Sequence, residues 1–410
     1  MLNPRTKSFP IPFIRRRSSF LFLSALCLFI WHCLHSSSSN KRVIVSGKWL
    51  PDYDVQERPR YIHHSPYRTS PDHDFECAVS EALIKIEDNV RAGNADMRAE
   101  DRIWQIQGPK KRERTKDSLR LEEMNGEWEY NLVTDTRANA FITNTLSTIP
   151  ELKDLYDSYP YHVLQSDLLR YLLLWYYGGY YADMDVIATK SIRSCPSLDP
   201  VFGSGSADSA KNVSLVVGIE IDEPHASAQL MRDWHWIRTY GLIQYNIYAP
   251  QRFSPLLREV IIRVLAHTRQ HNHDSFPLIG PRYNEMTILE VTGPGVFTDA
   301  ILSALSENLP PTHPLIEKSV EADEPVSEHK HEHDRCVTWA PFHKIKDPLC
   351  VDDSEAAAGK SMGGLCVLPI NAWGNGQRHS GAENFRSQHA CINHRFAGGW
   401  KKSWWRRHFG

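Results

Sequence analysis

Residues Ser166–Lys190 read SDLLRYLLLWYYGGYYADMDVIATK, and the rest of the chain is read outward from the change of pattern inside this stretch. Leu164, Leu168, Leu172 and Trp175 recur at helical spacing, and Leu169 and Tyr171 widen the stripe. The spacing predicts a helix from Val163, with Ser166 available as a cap and Asp167 in a first turn that favours negative charge. Gly178 and Gly179 stop it, because both can take positive φ at a C-terminal cap. Tyr180-Tyr181-Ala182 then reads as a short buried strand.

Asp183 and Asp185 follow, separated by Met184. Residues i and i+2 of an extended chain point to one side. Two carboxylates so placed at a strand end suit a divalent cation that prefers oxygen ligands, and such a cation can bridge a nucleotide diphosphate. The plain alternative is a pair of solvated acids in a turn. Asp167 and Arg170, three residues apart, share a helix face and could equally form an intrahelical ion pair.

The whole string, S-D-x-x-R-Y followed by G-G-x-Y-x-D-x-D, resembles the sugar-nucleotide signature of glycosyltransferase family 32. The resemblance implies an α/β fold of the GT-A, Rossmann-like type and a retaining hexosyltransferase that uses Mn²⁺. It implies that Asp185 coordinates the metal, with Asp183 on metal, ribose or sugar, and that Asp167, Arg170 and Tyr171 lie on the donor sugar. Trp104, at the end of the predicted strand Asp101–Ile106, would stack on the nucleotide base; packing in the core is the alternative. Near the C-terminus, Ile392-Asn-His-Arg-Phe-Ala-Gly-Gly-Trp-Lys resembles the family's H-x-F-x-G-[SG]-W-K element. His394 would there serve as a metal ligand or phosphate donor, and Trp400 as a lid over the nucleotide hinged at Gly398-Gly399. T-G-P-x-x-x-T-D at Thr292–Asp299 is similar to the outer-chain mannosyltransferase branch, with a turn before a helix begun by Thr298-Asp299. That branch implies GDP-mannose as donor and a high-mannose N-glycan as acceptor, extended by an α-1,6 linkage. It leaves room for a place in a mannosyltransferase complex. Two other readings stand beside it: transfer to inositol-phosphoceramide, and an inactive scaffold of a Golgi mannan complex.

The N-terminus fits a secretory setting. Residues 1–17 carry Arg5, Lys7, Arg15, Arg16 and Arg17 with no acid, and the uncharged run Phe20–Leu34 follows. We read a cytosolic tail (1–17), an uncleaved signal-anchor helix (18–35) and a Pro-rich stem (36–95), then a catalytic domain (96–410) on the luminal side of the Golgi membrane. The run Phe75–Arg91 has helical periodicity and belongs to the stem or opens the domain. Glu127–Asp135 reads as a second strand and Phe141–Tyr159 as a helix. Ser214–Ile221 is a buried strand whose acidic end (Glu220, Asp222, Glu223) could meet acceptor hydroxyls or equally be a solvated strand end. A helix lies within Gln251–Gln270. Residues 317–335 and 352–364 read as exposed loops. Asn212-Val213-Ser214 is a glycosylation sequon. A net charge of −2 over 410 residues gives no argument for nucleic acid as a partner. Eight cysteines include six outside the apolar run, enough for 15 pairings, and none is assigned.

Overall fold

The computed structural model describes residues 65–108, 113–203, 212–275, 280–322 and 336–396. The cytosolic tail, the signal-anchor, the stem up to residue 64 and Trp400 lie outside the described residues.

The strands are β1 (Arg102–Ile106), β2 (Glu129–Val133), β3 (Gly179–Ala182), β4 (Val186–Ala188), β5 (Leu215–Asp222), β6 (Tyr240–Leu242), β7 (Asn246–Ala249), β8 (Leu349–Val351), β9 (Leu365–Leu368) and β10 (Ile392–His394). Eight of them make the main sheet in the order β2-β1-β3-β7-β5-β9-β8, with β6 paired to β5. β1 is parallel to both β2 and β3, and β5 is parallel to β9. β7 runs antiparallel between β3 and β5, so β2, β1, β3, β5 and β9 all point one way. Their C-terminal ends therefore share one edge, where ligands of open α/β sheets bind. β4 and β10 form a separate antiparallel pair just beyond that edge. The α/β architecture expected of the chain is present as a mixed, mostly parallel sheet.

The central strands β3, β7 and β9 are buried on both faces, and successive residues alternate between two apolar layers. Trp104 and Tyr181 face the larger cluster, Ile103 and Tyr180 the smaller. Five helices matter for the larger layer: α1 (His73–Ala92), α2 (His162–Tyr177), α3 (Pro255–His273), α4 (Glu285–Val291) and α5 (Pro294–Asn308). α1 places Phe75, Val79, Leu83 and Ile86 in this layer. Its Glu87 accepts from Arg258 of α3 and from the Trp175 indole of α2. Of the two readings of Phe75–Arg91, stem helix or first helix of the domain, the packing favours the second: α1 adds its apolar face to the layer formed by α2 and α3, so the boundary drawn at residue 95 moves to before α1.

α2 starts at His162, a turn earlier than a Ser166 cap requires. Its N-cap is Tyr161 with no side-chain cap bond, and the Ser166 hydroxyl instead pairs with the His162 ring. Asp167 thus sits in the second turn. The glycine stop is as expected: Gly178 and Gly179 have φ of 68° and 95°. A Cβ on Gly179 would stand 2.7 Å from the Arg102 carbonyl, so the turn also needs the missing side chain for strand packing.

Other boundaries shift. The second strand ends at Val133, and Thr134 caps the helix Asp135–Thr145; a separate helix, Leu152–Ser158, follows. α5 begins at Pro294, leaving Thr298 and Asp299 buried in its interior. The helix Pro314–Ala322 takes in residues 317–322, where the start of an exposed loop was expected, while 323–335 lie outside the described residues. The 352–364 segment is tied down: Asp352 and Glu355 form a capping box, and Asp353 accepts from the Met362 and Gly363 amides.

Candidate active site

Asp183 and Asp185 leave the C-terminal end of β3 in the turn to β4. The turn is fixed from several sides. The Asp183 amide donates to the Tyr245 carbonyl (2.9 Å), Gln105 donates to the Asp183 carbonyl (3.0 Å), and Thr115 donates to the Met184 carbonyl (2.7 Å). The carboxylates are held differently. Tyr181 donates its hydroxyl to Asp183 Oδ1 at 2.6 Å, and Arg170 Nη2 lies 3.3 Å from the same oxygen. Asp185 Oδ1 stands 3.0 Å from His394 Nε2.

His394 reaches the site because β10 pairs with β4, His394 opposite Val186. Its ring lies flat on Tyr245 (4.0 Å between centroids, 14° between planes), and Phe396 closes its edge. Asp183, Asp185 and His394 each offer an atom within 4.8 Å of the others. All three are partly buried. Two carboxylates and an imidazole are the donor set a Mn²⁺-like cation takes, and the buried His394 Nδ1 has no hydrogen-bond partner among the described residues. The three residues fit a divalent cation.

Behind the turn lies a buried charged layer. Asp167 and Arg170 of α2 are 1% and 4% exposed. Arg170 Nη2 is 3.0 Å from Asp167 Oδ1, and Nη1 donates to the Gln244 carbonyl at 3.1 Å. Asp167 Oδ2 accepts from the Thr292 hydroxyl at 2.8 Å. Burial pushes the Asp167 carboxyl up to about 7, against the pull of Arg170 and Thr292. Burial works against the Arg170 cation, yet Asp183, Tyr181 and Asp167 outweigh it and raise its pKa. Burial likewise raises Tyr181 and Tyr245 well above the ordinary tyrosine value, so both keep their hydroxyl protons.

These facts revise the expected roles. Asp167 and Arg170 were expected on the donor sugar; sealed from solvent, they support Asp183 from below. Tyr171 is not a sugar contact: it is fully buried, donates to Gln244 and the Thr292 carbonyl, and stacks on Phe297. Trp104 cannot offer a face to a base. It is 4% exposed, packs on Tyr177 and donates its indole N–H to the Gly178 carbonyl (2.9 Å), because alternation in β1 turns it into the core. Asn212 is exposed, with its Oδ1 accepting from Gln251. The Asp222 carboxylate, expected to face acceptor hydroxyls, is buried and taken up by His343 and the Lys344 amide. Sequence reasoning missed Tyr181, Gln105, Thr115 and Tyr245 as supports of the turn. Only Tyr181, two residues before Asp183 on one strand face, left a readable signal.

Disulfides join Cys195 to Cys391 and Cys350 to Cys366 among the described residues.

Comparison with known proteins agrees with this geometry. Residues 109–202 match the family described as "Glycosyltransferase sugar-binding region containing DXD motif", as the signature string implied. The chain is similar to the initiation-specific alpha-1,6-mannosyltransferase of Candida albicans, 27% identical over 68% of this chain and 65% of that protein, just under two thirds of its length. The protein of the same name from Saccharomyces cerevisiae is 23% identical over 67% of this chain and 71% of its own. Inositol phosphoceramide mannosyltransferase 3 of Schizosaccharomyces pombe is 36% identical over 17% of this chain and 19% of its own. A solved structure, PaToxG Glycosyltransferase, overlays 57% of this chain and 80% of its own at 16% identity, with a TM-score of 0.32 that is too low to carry weight.

Proposed function

We propose that this glycosyltransferase moves mannose from GDP-mannose to a high-mannose N-glycan, forming an α-1,6 linkage with retention, as a type II membrane protein of the Golgi lumen. The observation that carries the reading is the Asp183–Asp185–His394 cluster at the common edge of the parallel strands, backed by Arg170. Mannose and the α-1,6 linkage are supported by relatives named initiation-specific alpha-1,6-mannosyltransferase, whose alignments run over about two thirds of this chain; the N-glycan acceptor follows from the likeness of Thr292–Asp299 to the outer-chain branch. The likeness to the inositol phosphoceramide enzyme is confined to 70 residues, which favours the glycan over the lipid. An inactive scaffold would have no use for a complete ligand cluster. Two disulfides suit an oxidising lumen, and the basic tail before an apolar run suits an anchor with its N-terminus in the cytosol.

Asp183, Asp185 and His394 would hold Mn²⁺. When bound, the cation supplies charge neutralisation to the departing diphosphate. The chain's own groups do the rest. Arg170 and the Tyr181 hydroxyl both contact one oxygen of Asp183, which fixes its rotamer. The Tyr245 ring sets the plane of His394. The sugar's bond to the β-phosphate oxygen breaks, a bond from the same carbon to the acceptor oxygen forms, and the acceptor proton passes to the leaving phosphate.

Asp185→Ala tests the reading. In the full chain we expect both transfer and acceptor-free donor hydrolysis to fall by at least roughly 100-fold, the scale of losing one contact to a developing charge. The thermal melt should stay near wild type, since Asp185 is partly exposed. Near-normal turnover in that variant removes the cation assignment. A panel of acceptors, with labelled GDP-mannose, separates glycan from inositol-phosphoceramide.

A further inference from the structure

We propose that the end of β5 holds the acceptor saccharide, between the Trp234–Trp236 ring pair and the His343 imidazole; this rests on the glycosyltransferase reading above. β5 points the same way as β3, so Asp222 and Glu223 emerge on the edge that carries Asp183. Asp222 is 6% exposed, and its carboxylate accepts from His343 Nδ1 (2.7 Å) and the Lys344 amide (2.8 Å). Its own amide donates to the Ser380 hydroxyl (2.8 Å), and Glu223 accepts from the Ser380 amide (2.5 Å). Two loops, 339–347 and 374–383, are thereby fastened to one strand end.

What the loops present is suited to a sugar. His343 is about a quarter exposed, its Nδ1 is committed to Asp222, and no described residue takes up its Nε2. The imidazole is thus oriented, with one nitrogen to spare for a hydroxyl. Trp234 is 40% exposed and lies stacked on Trp236 (5.8 Å, 18°). His379 stands edge-on to both rings at 4.9 and 4.7 Å, and burial lowers its pKa to about 4, so it braces the pair as a neutral ring. A pyranose has a C–H face and a hydroxyl rim. An exposed indole held rigid from behind receives the first, and an oriented imidazole the second.

The patch is also wired to the cation cluster. The Tyr245 hydroxyl donates to the Trp373 carbonyl (3.2 Å), immediately before the 374–383 loop, and the Tyr245 ring carries His394. The loop whose His379 braces Trp234 is thus joined at its start to the ring that orients His394. An isolated surface tryptophan would need no explanation; one stacked, braced and fastened to the reactive edge does.

The test uses the full-length protein with Trp234→Ala, Trp234→Phe and His343→Ala. It reads acceptor KM and kcat with an oligomannoside, acceptor-free hydrolysis of the sugar nucleotide, and the tryptophan fluorescence change on adding the glycan alone. We expect Trp234→Ala to raise acceptor KM roughly tenfold with kcat and hydrolysis within about twofold of wild type, Trp234→Phe to restore most of the affinity, and His343→Ala also to raise KM. An unchanged KM in Trp234→Ala overturns the subsite, as does loss of hydrolysis alongside transfer. If the wild type processes no sugar nucleotide, the functional reading falls by itself. The fluorescence titration then decides this inference separately: a glycan response lost in Trp234→Ala upholds it, and no response in the wild type overturns it.

Discussion

Asp167 shows how a single buried side chain can serve a site it never touches. Its carboxylate fixes Arg170 from one side while Asp183 holds it from the other, and Thr292 anchors the carboxylate in turn. The arrangement has a cost that pH reveals. Burial raises this carboxyl to about 7 in the folded chain, while an unfolded aspartate titrates near ~4. The folded state therefore binds a proton that the unfolded state has already lost, and the stability it brings is complete below about pH 4 and disappears as pH rises to 7. Asp167→Asn keeps an acceptor for Thr292 but abolishes this titration. The difference in melting temperature, variant minus wild type, should accordingly grow in the variant's favour between pH 4.5 and 8. Transfer by the variant should fall most above pH 7, where the wild-type carboxyl is ionised, because Arg170 has lost one of its two charged partners and keeps Asp183 and the Gln244 carbonyl. A melting difference that stays flat across these pH values would show that Asp167 is ionised throughout.

Among the elements, the α4–α5 junction answers a question the sequence left ambiguous. A Gly-Pro-Gly turn could let a ligand approach the backbone, but here the glycines admit protein. A Cβ on Gly293 would stand 2.7 Å from Leu289 Cα, and one on Gly295 would meet Ile237 Cδ1 at 2.2 Å and the Leu289 carbonyl at 2.9 Å. The close packing brings Thr292 to Asp167 and Thr298 to the Leu242 amide. Gly293→Ala should destabilise the protein by about 1–3 kcal/mol, the usual toll of forcing a methyl into a filled core, because its obstacle is backbone. Chemical denaturation measures this; a loss under about 0.5 kcal/mol would mean the junction yields freely. The same junction marks what was legible. The helix, glycine turn and strand around Gly178 could be read because periodicity changes sharply there. The start of α2 could be read from its periodicity to within one residue, Val163 against His162, but its cap could not, since the N-cap Tyr161 uses no side chain and Ser166 bonds sideways to His162. Trp104 and Tyr171 misled for a related reason: an aromatic at a strand or helix face looks the same whether it meets a base or a neighbouring ring. Asp183 and Asp185 could be found locally. The strand order that gives them a neighbour in His394 could not.

At the scale of the whole molecule, the site depends on bringing residue 394 to residue 185 across more than half the chain. β10 is three residues long and is paired with β4, with one further isolated bridge from Asn393 to Asn375, too little to hold His394 by ladder bonds alone. The Cys195–Cys391 disulfide supplies the rest: it closes a separation of 196 residues and ends three positions before His394. Both cysteines are buried. In the chain-entropy limit a loop that long is worth on the order of 5 kcal/mol. Replacing both by alanine should lower the melting temperature, and, on the proposed Mn²⁺ site, it should also raise the Mn²⁺ concentration needed for half-maximal activity, because one of the three proposed ligands is no longer held in place. The Cys350–Cys366 pair is the control. It spans 16 residues and joins β8 to β9 at the far edge of the sheet, so its removal should cost less stability, roughly 3 kcal/mol in the same limit, and leave the metal requirement unchanged. Titration of activity with Mn²⁺ in the two double variants separates these outcomes. An unaltered metal requirement without the 195–391 bond would mean that the Tyr245 stack and the β4 pairing suffice to hold His394.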